Sequence, residues 1–328
     1  MLAEWLDHSL EARPPAAVEG EIPGGRFRLL APGVLELVPD VCSAQAQAGV
    51  ISVGIHGNET APIELLGATL ARLEAGLLRL AAPLLVILGH PAAIRHQARF
   101  VTTNLNRLFR RELEEKGAEP DRARTLMAAV DGFYARHPDR DRWHYDLHTA
   151  IRDSRFPRFV VEPFANAPTP LVQWRWLAAA GIQAVLHQHR HSWTFSHYAK
   201  HYHGAAAFTF ELGRARPFGH NDLTPLAAMG RLLEALIEDR APPAGDPGEM
   251  VFFRAEHELL RHSERFRLCF PDDTANFSEF PPHSLLAHDA AAGDTRVGER
   301  PVAVVFPNAE VEIGARAALL VVPCSPPT

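Results

Sequence analysis

The chain has 328 residues, 47% hydrophobic and 22% charged, with a net charge of -6. That balance excludes intrinsic disorder, and 22 Gly and 27 Pro without a period exclude collagen-like and low-complexity classes. Lys+Arg number 33 against 39 Asp+Glu, so no general positive field gathers phosphates and nucleic acid is not an expected partner.

Residues 1–11 carry Glu4, Asp7 and His8 among apolar residues, unlike a secretory signal. The longest apolar run, near residues 81–88, is far too short for a bilayer, so no membrane partner is expected. Residues 26–38 (RFRLLAPGVLELV) read as two short strands around a Pro-Gly turn, and 48–55 (AGVISVGI) as a buried strand. HGNET comes next. The segment 61–76 then reads as a helix, with Pro62 near its start and Gly76 at its end. Residues 84–89 give a second buried strand, completing a strand–helix–strand unit that marks an α/β sheet. After a loop carrying NLNRLF, 121–136 suits a helix and 143–148 (WHYDLH) a strand ending in polar residues. A helix is expected at 170–180, strands at 182–187 and 206–212, and a strongly periodic helix at 223–240. APPAGDPGE (241–249) reads as a linker, beyond which VFFRAEHELL, ERFRLCF, PVAVVFP and ALLVVP are short strand-like runs. The expected organisation is an α/β domain over 1–243 and a small β-rich domain over 244–328.

Cys42, Cys269 and Cys324 are distant and odd in number. They suit a reducing compartment, so a cytoplasmic protein is expected. They lack metal-ligand spacing, so any metal must use His and carboxylate. His56-Gly57-Asn58-Glu59 offers both just past a buried strand. The same bare pattern at His8 and Glu11 has no such setting and reads as accidental. A third ligand is expected from His148 at the end of its strand, with Asp146 two residues earlier on the same face to support it. Glu211 ends the apolar strand AAFTF, where burial raises a carboxyl pKa and suits a general base. Arg99 and the Asn104-Leu105-Asn106-Arg107 loop offer donors for carboxylates. His187 to His203 contains six histidines. His187, His189 and His191 are expected on one strand face; a partly exposed pocket wall is favoured over a second metal site.

VGIHGNETAPIELL (53–66), RFVTTNLNRLF (99–109), HYDLHTAIR (144–152) and TFELGRARPFGHNDL (209–223) resemble the succinylglutamate desuccinylase/aspartoacylase family of zinc hydrolases, relatives of the metallocarboxypeptidases. The resemblance implies a mixed sheet with helices on both faces and the small C-terminal β domain. It implies one Zn2+ per chain on His56, Glu59 and His148. Glu211 is then the catalytic carboxylate, Arg99 polarises the scissile carbonyl, and Asn106 and Arg107 bind a substrate carboxylate. Arg214 and Arg216 are further candidates for binding an anionic N-acyl amino acid. The ELGRARPFG-x-ND pattern favours N-succinylglutamate, a substrate of arginine catabolism, over N-acetylaspartate. Two departures stand out. Asn104 replaces the family's usual Asp, and HYAKHYHG (197–204) lacks the second arginine of aspartoacylases, with Lys200 or His201 as the available substitutes. Another N-acyl amino acid deacylase, a carboxypeptidase and a non-catalytic metal-binding relative remain as alternatives, and a homo-oligomer stays open.

Overall fold

The computed structural model describes residues 2, 4–11 and 18–326. Helix α1 (Trp5–Glu11) precedes strands β1 (Glu19–Ile22), β2 (Gly25–Ala31), β3 (Val34–Pro39) and β4 (Ala48–Val53). Helix α2 (Ala61–Glu74), strand β5 (Leu84–Leu88) and the short helix α3 (Pro91–Arg95) follow. Helix α4 (Ala118–Arg136) leads to β6 (Arg142–Ala150) and β7 (Arg158–Glu162). Next come α5 (Leu171–Ala179), β8 (Ala184–His187), α6 (Phe195–His203), β9 (Ala206–Arg214) and α7 (Ala227–Ile237). The remainder is β: β10 (Val251–Leu260), β11 (Arg267–Leu268), β12 (Ser278–Phe280), β13 (Leu285–Asp289), β14 (Gly293–Arg296), β15 (Val302–Val305) and β16 (Arg316–Pro323).

Among the described residues, thirteen strands form one mixed sheet in the order β1-β2-β3-β5-β4-β6-β9-β7-β8-β10-β16-β15-β12. β4, β6 and β9 run parallel at its centre. They are buried on both faces, as the unbroken apolar runs of a central parallel strand require. One face packs Ile51, Val53, Tyr145, Leu147, Phe208 and Phe210 against α2, α5 and α7. The opposite face packs Ala48, Val50 and Ala207 against α4 and α6. Helices therefore cover both faces.

Several expectations shift at their edges. The 223–240 helix begins only at Ala227, after a 3-10 turn over Thr224–Leu226. In ERFRLCF only Arg267 and Leu268 pair as strand. β7 and α6 lie where no element was expected. Most notably, His187 ends β8, whereas His189 and His191 fall in a loop and His197, His201 and His203 ride on α6. The three-histidine strand face therefore does not form.

Candidate metal centre and active site

The period of two along a strand puts Ser52 on β4, His144, Asp146 and His148 on β6, and Thr209 and Glu211 on β9 on one face. In register, Ser52 lies opposite Asp146, Asp146 opposite Thr209, and His148 opposite Glu211. This polar stripe climbs to the C-terminal edge of the parallel strands, where open α/β sheets place their sites.

The HGNET turn meets the stripe there. Beyond β4, Gly54 takes a φ of +65°, which turns the chain at a cost an L side chain would feel. Gly57 serves close approach: a Cβ there would lie 2.1 Å from the Ala93 backbone carbon. Asn221 donates to Thr60 Oγ1 at 2.7 Å, and Thr60 donates to the Arg216 carbonyl at 2.6 Å. The ELGRARPFG-x-ND loop is thus tied to the residue after Glu59, which holds the end of β9 against the turn.

His56, Glu59 and His148 are all buried, and one ligand atom of each lies within 4.8 Å of the others. Glu59 Oε1 lies 3.0 Å from His56 Nδ1 and Oε2 lies 2.8 Å from His148 Nδ1. The two Nδ1 atoms are 3.2 Å apart. Two imidazoles and a carboxylate with ligand atoms converging in a buried pocket suit a tetrahedral zinc site with one place left for water. Each histidine is oriented from behind. His148 Nε2 lies 2.9 Å from Asp146 Oδ2, and Asp146 Oδ1 accepts from Ser52 at 2.6 Å. His56 Nε2 lies 3.1 Å from Asn104 Oδ1, which also accepts the Asn106 N–H at 3.0 Å. Asn104, where the resemblance implies Asp, thus orients His56 through a neutral amide oxygen.

Burial, then the Arg99 charge, lowers the His56 pKa to about 4, so its ring is neutral and able to ligate. Burial opposes ionisation of Glu59, but the His56 and His148 rings outweigh it and hold this carboxyl well below the usual range. His148 is the reverse: burial disfavours its cation, yet Asp146 and Glu59 flank it and raise its pKa well above the ordinary value. The two carboxylates that raise it are the same negative charges a bound cation would meet.

Glu211 stands beside this group. Burial, then the Glu59 charge, pushes its pKa up to about 8, and its Oε2 makes no hydrogen bond among the described residues. Phe159 of β7 lies directly opposite it in register and supplies the apolar side. Arg99 donates to Glu59 Oε1 at 2.7 Å, while its carbonyl accepts the Gly57 N–H at 3.2 Å.

Asn106 is buried, with Oδ1 accepting the Phe195 N–H at 2.9 Å, so only its amide NH2 is left for a ligand. Arg107 is exposed, donates to the Asn106 carbonyl at 2.7 Å and loses part of its hydration to the surrounding protein. This partial desolvation, then the like charges of Arg316 and Arg99, bring its pKa down to about 9. Arg316 opens β16 in the C-terminal strands and pairs with Glu258 at 3.5 Å; nothing local in the sequence marks its charge as reaching Arg107. The remaining sequence candidates lie outside this group. Arg214 is exposed and pairs with Asp153 at 3.2 Å. The Arg216 side chain is exposed, and only its carbonyl reaches the HGNET turn. Lys200 is buried against Glu162 at 2.7 Å and Thr169 at 2.7 Å, so its charge is already matched.

The profile of the Succinylglutamate desuccinylase/Aspartoacylase catalytic domain matches residues 45–237, more than half of the chain. The chain belongs to this family. The AstE/AspA barrel-sandwich hybrid domain matches residues 248–324. A succinylglutamate desuccinylase of Serratia proteamaculans is 41% identical over 322 residues, covering 97% of this chain and 97% of its own. One from Pseudomonas paraeruginosa is 42% identical over 327 residues, with 98% of each chain covered. The X-ray structure of a succinylglutamate desuccinylase from Vibrio parahaemolyticus superposes with a TM-score of 0.90 at 34% identity, covering 98% of this chain and 95% of the other. Among the described residues no helix is long and apolar enough to cross a membrane.

Proposed function

We propose that the protein hydrolyses the amide bond of N-succinyl-L-glutamate, giving succinate and L-glutamate, with a catalytic zinc ion on His56, Glu59 and His148. The observation that carries this reading is the neighbourhood of Glu211: a buried carboxyl, unpaired at Oε2, next to a buried His–Glu–His group. The names of near full-length relatives support the substrate. A zinc ion, when bound, supplies Lewis acidity and brings a water pKa toward ~7. Its positive charge also favours the Glu211 carboxylate, the form needed of a base.

Glu211 takes a proton from the attacking water and returns it to the departing amine of glutamate. Arg99 uses one N–H on Glu59 and has others to donate to the carbonyl oxygen as negative charge develops. Arg107 and the Asn106 amide hold a substrate carboxylate, and Arg316, paired with Glu258 at 3.5 Å, adds positive field from the C-terminal strands. Residues 1–243 are then the catalytic unit, and 244–328 completes the anion-binding wall. We place the enzyme in the cytoplasm, in keeping with three free cysteines.

The burial of Lys200 against Glu162 speaks against N-acetylaspartate, since that lysine is not free to replace the second arginine of aspartoacylases. A panel of N-succinylglutamate, N-acetylaspartate and a peptide on zinc-loaded protein tests the proposal. N-succinylglutamate should have the highest kcat/KM, and a higher value for either rival would overturn it.

A further inference from the structure

We propose that His191, His197 and His201 form a second metal site, separate from His56, Glu59 and His148, for one imidazole-preferring transition ion such as Zn2+. His197 and His201 are one turn apart on α6 and so lie on the same side of the helix. Their rings are stacked, with centroids 5.3 Å apart and planes at 13°. His191 comes from the preceding loop and meets both, with centroids 5.0 Å from His197 and 4.8 Å from His201. One ligand nitrogen of each ring lies within 4.8 Å of the other two. Tetrahedral zinc with bonds of about 2.0–2.1 Å separates its ligand nitrogens by roughly 3.3 Å. To reach that spacing, the exposed His191 and His201 rings must turn and close around buried His197.

The chemistry of the donors agrees. His191 Nδ1 and His197 Nε2 are 2.8 Å apart, so without an ion one of them must carry a proton between them. His197 is fully buried, and its Nδ1 makes no hydrogen bond among the described residues. Burial, then His191 and His201, holds its pKa at about 3, so the ring stays neutral and its lone pair available. Three imidazoles and no thiolate select zinc, copper or nickel over calcium or magnesium. An ion here would clamp the 188–194 loop to the start of α6. That start is where Asn106 accepts the Phe195 N–H, and the Trp193 carbonyl accepts the Phe109 N–H at 3.2 Å. The site thus braces the loop that carries Asn106 and Arg107.

The test is zinc stoichiometry by equilibrium dialysis on the full chain. Wild type should bind two ions per chain, and H191Q and H201Q one each. Both replaced residues are exposed, so the variants should fold. H148A should keep one ion, and H148A/H201Q none. Equal stoichiometry in wild type, H191Q and H201Q would overturn the second site whatever happens at the first. If H148A still binds two ions, the ligand set of the central site fails instead, while the comparison of wild type with H201Q continues to decide this one.

Discussion

Replacing Asp146 with Asn isolates one electrostatic contribution to the central site. The Asn Oδ1 can still accept from His148 Nε2, where Asp146 Oδ2 now sits at 2.9 Å. Its NH2 would then face Ser52, whose hydroxyl can accept from it and still contact His144 Nε2, now 2.8 Å away. Shape and hydrogen bonding survive, and only the charge is lost. Loss of a carboxylate behind a ligating histidine weakens metal binding by about 10–100-fold, or about 1.4–2.8 kcal/mol. A second effect opposes the first. Asp146 raises the pKa of His148, and a proton on that ring competes with the metal. Removing Asp146 lowers this competition. At pH 7 the two partly cancel, and the loss of zinc affinity should be close to about tenfold. As pH rises the competing proton leaves both proteins, and the gap should widen toward about 100-fold. Competition with a chromophoric chelator across pH 6.5–9 measures this. An affinity within twofold of the parent at the alkaline end, in a folded variant, would refute the reasoning, as would a gap that narrows with pH.

Replacing Glu211 with Gln should leave zinc content unchanged and reduce kcat by about 10²–10⁴-fold; a near-parental rate ends its role as base. Arg99→Ala should lower kcat by about 10²–10³-fold. Because Arg99 also braces Glu59 at 2.7 Å, the variant should bind zinc more weakly, and metal analysis beside kinetics separates the two effects. Glu162 gives a pH prediction. Burial pushes its carboxyl up, but the hydrogen bond to His187 and the charge of Lys200 outweigh it and bring the pKa from 4.5 to about 2. A depressed pKa stabilises the fold above the unfolded value, and that contribution is lost as pH falls from 4.5 toward 2. It is on the order of 3 kcal/mol, so urea midpoints of the parent should fall more steeply than those of E162Q in this window.

The legible parts of the site were those written in local spacing. HGNE beyond a buried run, Asp146 and His148 at a period of two, and Glu211 at the end of AAFTF each follow from one strand and its exit. What escaped depends on partners distant in sequence. Ser52 reads as an ordinary strand residue until β6 is laid beside β4, and Arg316 until β16 joins the sheet. α6 escaped for another reason. FSHYAKHYH has few aliphatic residues, so its helical period is carried by rings. Its punctuation was there to read, with Thr194 at the N-cap and Gly204 in the left-handed region at the C-cap. The strand spacing expected for His187, His189 and His191 left this helix unread, and it is the helix that pairs His197 with His201.

β10 runs parallel to β8 and antiparallel to β16, so one strand belongs to both halves of the molecule. Its Phe252 packs with Trp174 on one face and its Phe253 with Phe159 on the other. Swinging the two halves apart would break backbone pairing and expose both rings at once. Substrate entry therefore does not come from the two halves opening, and removing the chain beyond residue 245 would leave β8 with a bare, aggregation-prone edge instead of a free-standing catalytic half.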